Sequence, residues 1–187
     1  LLQVGLPLVL VVLNAVFPTA SLLGLVLRSV AIAVLIVHTI IAGVWLFPPW
    51  WTPYTLLVLH LACTTIAAWR GRGTALLSGG WSSASELTVG AVGAITALFL
   101  LVPIIAGRDV PADAVDLAMP LGPGTYLVIS GGSTETINTH LATLELERAR
   151  PYRGQSHAVD IIGIDAWGFH ADGVAPRDPK LYRIYGV

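Results

Sequence analysis

Between residues 1 and 107 the chain carries formal charge at only four side chains, Arg28, Arg70, Arg72 and Glu86. A water-soluble domain of that length would have about a quarter of its residues charged. This half therefore cannot fold as a globule in water and needs an apolar solvent around it. Its apolar residues fall into four stretches, and after residue 107 they give way to a polar tail with β patterning. The whole-chain averages, a mean hydropathy of +0.78 and 55% hydrophobic residues, blend two unlike halves. The expected fold class is an integral membrane protein. Three or four transmembrane α-helices occupy 1–107, and a small, truncated antiparallel β domain on the extracytoplasmic side occupies 108–187.

A spanning helix needs about 20 mostly apolar residues. The first stretch, 1–17, is slightly short, ends at Pro18 and has room to continue upstream of Leu1. It has neither a positive leading region nor a small-x-small cleavage site, so it does not read as a signal peptide. The second runs from 22 or 29 to 47, with Arg28 able to snorkel near its start. The third covers 53–69 and the fourth 87–107. FPPWW (47–51) joins the second to the third, and its rings suit a headgroup region, as does nearby Tyr54; Trp69 and Trp81 mark the opposite boundary. Arg28, Arg70 and Arg72 then fall on one side of alternating helices, which the positive-inside rule makes cytoplasmic, with Arg108 mildly contrary. The tail is thereby expected on the extracytoplasmic side.

A net charge of −1 and the absence of a Lys/Arg run give no case for nucleic acid. Cys63 is the one cysteine and sits in an apolar stretch, which excludes an intrachain disulfide or a cysteine-based zinc site and reads as a small buried hydrophobe. His38 and His60 lie inside spans. Such residues raise the question of a haem, a chlorin or a proton path. With no acidic or cationic companion in view, interhelical hydrogen bonding is the reading favoured for both. Gly90, Gly93, Ala94 and Ala97 form a small-residue stripe at helical spacing, expected to let another helix approach closely.

In the tail, LGPGTYLVISGG (121–132) reads as a turn, a short strand and a Gly-Gly turn. HAVDIIGIDAWG (157–168) reads as a second strand with a turn, and YRIYG (182–186) begins like a third. Residues 134–155 have no clean period. Ser130, Ser133 and Ser156 lack a nucleophile-elbow motif, and the glycines of 124–132 lack the following helix of a phosphate loop.

The succession GTYLVISGG (124–132), INTHL (137–141), RGQSHAVDII (153–162) and LYRIYG (181–186) resembles the first part of the lysostaphin-like zinc metallopeptidase domain, in particular its membrane-anchored bacterial members. The resemblance covers 116–187. It implies a small antiparallel β domain that cuts peptide crosslinks of the cell wall. The family's zinc ligands come from H-x-x-x-D and a later H-x-H. Asp160 matches the aspartate, but Ser156 stands where the histidine would be, and a neutral hydroxyl is a poor exchange for imidazole. In a regular strand His157 would point to the opposite face from Asp160. His140 of INTHL is the better metal candidate, and His170 reads as a surface residue near a turn. No H-x-H follows Asp160 in the sequence.

These readings support two functions. One is a non-catalytic accessory subunit of a larger bacterial membrane complex, such as a photosynthetic or respiratory one. Its partners are the bilayer and other membrane subunits, and it needs no cofactor. The other is a membrane-anchored zinc endopeptidase whose remaining ligands lie past Val187.

Overall fold

The structure, a computed structural model, describes residues 2–110, 112, 118 and 120–173. Four helices come first: α1 (Leu2–Val16), α2 (Leu22–Ala42), α3 (Thr52–Arg70) and α4 (Trp81–Ala106). The last three are long and apolar enough to cross a membrane, which suggests a membrane location; α1 is shorter.

Their limits reflect local chemistry. Past α1, Pro18 has no N–H to extend the ladder. The Ser21 hydroxyl accepts the Gly24 amide at 3.1 Å, capping the start of α2. Pro53 sits in the first turn of α3, where a missing N–H costs nothing. α4 starts at Trp81, earlier than the expected 87, and takes Ser82, Ser83, Ser85 and Glu86 into its first turns.

The described residues form two compact units. One holds 2–41 and 52–102, the other 42–51 with 103–173. In the first, Val11, Ile32, Ile36 and Leu56 from α1, α2 and α3 make a buried core, with Cys63 packed against it. Gly90 and Gly93 of α4 lie against α2. A Cβ added at Gly90 would stand 2.9 Å from Leu27 Cβ and 3.2 Å from the Arg28 amide nitrogen, and one at Gly93 would stand 3.2 Å from Ala31 Cβ. Ala94 and Ala97 are buried as well.

The second unit carries a two-stranded antiparallel sheet, β1 (Tyr126–Ser130) and β2 (Asp160–Gly163), with a register shift between Val128 and Ser130. Two 3₁₀ helices, Thr139–Thr143 and Glu147–Gln155, fill the interval that showed no sequence period. The second strand is shorter than expected, because the helix ending at Gln155 and the turn after it take up Ser156 and His157. The YRIYG segment lies outside the described residues.

Candidate functional site

The tail's site is built from the loop that leaves β1. At the shifted end of the sheet Ser130 stands opposite Asp160. The chain then turns through Gly131 and Gly132, and the Gly131 amide closes the loop on the Ile137 carbonyl at 2.9 Å. Asn138, only 1% exposed, organises the segment between this turn and the first 3₁₀ helix. Its Nδ2 donates to the Gly132 carbonyl at 3.1 Å, and its Oδ1 accepts the His140 amide at 3.1 Å as the cap of that helix. A buried amide side chain with both ends satisfied holds its loop in one geometry.

That geometry brings His140 to Asp160. The imidazole Nε2 lies 3.0 Å from each carboxylate oxygen, across a sequence interval of 20 residues. Both side chains remain partly open to solvent, at 26% and 45%. Nitrogen and oxygen donors of this kind suit zinc. With zinc–ligand bonds of about 2.0–2.1 Å, a tetrahedral site separates two donors by roughly 3.3 Å. At 3.0 Å the pair is in direct hydrogen-bonding contact, so holding a divalent ion with both side chains would require Nε2 to give up the proton it shares with Asp160.

Ser156 is buried and acts behind this pair. Its hydroxyl lies 2.7 Å from Thr143 Oγ1 and 2.7 Å from the Arg153 carbonyl, and its single proton serves one of them at a time. Thr143 in turn donates to the His140 carbonyl at 2.7 Å. Ser156 therefore braces the short helix that carries the imidazole. His157 is exposed in a turn, with no strand there to set its face, and His170 is half-buried in a bend. Among the described residues no group of three His, Cys, Asp or Glu side chains converges.

The helical unit holds a second polar assembly. Asn14, on α1 and 1% exposed, donates through Nδ2 to Ser29 Oγ at 3.2 Å and to Thr64 Oγ1 at 3.1 Å. Its Oδ1 accepts Arg28 Nε at 2.7 Å. Arg28 pairs with Glu86 of α4 at 3.2 Å, and Glu86 Oε2 accepts the Ala20 and Ser21 amides, each at 3.0 Å. His60 Nε2 donates to the Ser29 carbonyl at 3.0 Å. His60 thus bonds from α3 to a backbone carbonyl of α2, while Arg28 and Glu86 bond to Asn14 and to each other. The His38 ring is half-buried, and its Nδ1 has no hydrogen-bond partner among the described residues.

Sequence reading missed Asn138 and the Asn14–Arg28–Glu86 chain. The signal for Asn138 was present in its residue type, a preferred cap at the start of a short helix. Comparison with family models, with curated proteins and with solved structures finds no match.

Proposed function

We propose that this chain belongs to a membrane-anchored, zinc-dependent peptidase whose site in the tail uses His140 and Asp160. The observation that carries the reading is the approach of one imidazole nitrogen to both Asp160 oxygens at 3.0 Å, on a loop locked by a buried asparagine. The resemblance of the tail to lysostaphin-like metallopeptidases points to the same two residues and to cell-wall peptide crosslinks as substrate. Bound zinc would supply a Lewis acid for the scissile carbonyl and an acidified water. Asn138 and the Ser156–Thr143 link would hold His140 in place, and the open side of the pair would admit a third ligand and the substrate. That third ligand comes from outside the described residues. The test is hydrolysis of a crosslinked cell-wall peptide by the full-length protein in vesicles. Cleavage that is lost on chelation and in Asp160→Asn supports the reading; cleavage insensitive to both overturns it.

A second reading, an accessory subunit of a larger membrane complex, draws on a different observation. Leu10, Leu35, Val89, Gly90, Gly93 and Leu100 line part of an open, mostly apolar groove of about 1070 Å³ in the helical unit. A partner helix laid in this groove would cover its apolar sides, while Gly90 and Gly93 serve the contact of α4 with α2. Extraction in mild detergent discriminates the two. A stoichiometric partner and no hydrolysis would favour the subunit.

A further inference from the structure

The tail and the FPPWW connection meet through aromatic residues. Asp165 folds the segment after β2 into a tight turn: its Oδ1 accepts the Trp167 amide at 2.9 Å and the Phe169 amide at 2.8 Å, and the Asp165 amide returns to the Phe169 carbonyl at 2.9 Å. Gly168 completes the turn at φ +83°, a conformation that side chains other than glycine rarely adopt. A Cβ there would also stand 2.7 Å from Trp50 Nε1. Trp51 Nε1 donates to the Trp167 carbonyl at 2.8 Å. The bond uses the backbone of Trp167, so its indole is left free to point elsewhere. Trp167 is 75% exposed and Phe47 70%.

We propose that Phe47, Trp50, Trp51, Trp167 and Phe169 form one aromatic plate seated in the headgroup layer of the bilayer, which fixes the tail at the membrane surface. Two arguments select lipid as the occupant. FPPWW joins α2 to α3, and both are long and apolar enough to span. The short connection must therefore lie where the hydrocarbon ends, the level at which amphipathic rings concentrate. The Trp51–Trp167 bond brings the tail's turn to that same level. It also demands that the chain after α4 return to the side of FPPWW, as two crossings by α3 and α4 provide. The plate does not depend on the zinc reading, and it places Asp160, seven residues before Trp167, close to the membrane.

The test is tryptophan quenching in the full chain reconstituted into phosphatidylcholine vesicles. Trp167→Phe keeps the carbonyl that Trp51 binds, so the emission difference between wild type and this variant isolates Trp167. Lipids brominated near the headgroup should lower that difference at least about twofold, with little effect of aqueous acrylamide. In a Trp51→Phe background, which keeps a ring but removes the donor, the Trp167 component should shift toward acrylamide. Strong acrylamide quenching in the unaltered protein would overturn the proposal, and so would shielding from both quenchers, the mark of a protein partner over the plate.

Discussion

Arg28 on α2 and Glu86 on α4 form an ion pair at 3.2 Å inside the helical unit, and each is tied to a further helix element. Arg28 holds Asn14 of α1, while Glu86 takes the two amides that precede α2. Through Asn14 the chain reaches Ser29 and Thr64, so α1 to α4 share one polar network. In a hydrocarbon surrounding, such groups persist only when paired.

Breaking this pair from one side should therefore cost more than removing it whole. Glu86→Ala strands a partly buried guanidinium and leaves two amides without their acceptor. We expect a loss at the low end of about 3–5 kcal/mol, since Arg28 is not fully enclosed. Arg28→Met combined with Glu86→Leu should lie closer to wild type. Denaturant titration in detergent checks the order; a double variant less stable than Glu86→Ala would contradict it.

Close approach of α4 to α2 predicts a graded glycine series. Gly90→Ala pushes a methyl to 2.9 Å from Leu27 Cβ, a contact that only backbone movement relieves. A loss of roughly 1–3 kcal/mol is expected from such overpacking. Gly5 of α1 has nothing within 4 Å of an added Cβ, so Gly5→Ala should be neutral or stabilising by up to about 1 kcal/mol. Thermal midpoints of the two variants, measured in one detergent, test the contrast.

Much of this architecture was legible in the residues. An apolar run of spanning length places α3 to within a residue at each end, whereas α2, expected from 22 or 29 to 47, spans Leu22–Ala42; TYLVIS before Gly-Gly announces β1. The start of α4 was not, because Ser82, Ser83, Ser85 and Glu86 interrupt the apolar run, and the pairing of Glu86 with Arg28 has no signature in the sequence. Isolated polar residues in apolar runs, such as Asn14 and Thr64, have no period to reveal that they face one another. Within the tail, the approach of His140 to Asp160 depends on a loop whose shape is set by Asn138 and by a register shift. Neither can be extracted from strand alternation, and the resemblance to a peptidase domain pointed to the pair instead.

Asn138 gives the third prediction. Asn138→Ala removes two hydrogen bonds and leaves the Gly132 carbonyl unpartnered, at about 1–3 kcal/mol. With His140 and Asp160 both intact, zinc affinity of the full-length protein should still fall, by about 10-fold or more, as for other residues that orient metal ligands. Calorimetric titration reads this directly, and unchanged affinity would show that the loop keeps its shape without the asparagine.

The most direct check of the metal site is zinc content by elemental mass spectrometry of the full-length protein, dialysed free of loose metal. We expect one zinc per chain in wild type and in His157→Ala, whose side chain is exposed in a turn, and almost none in His140→Ala or Asp160→Asn. Wild-type protein without zinc after reconstitution, or full zinc in either ligand variant, would contradict the account.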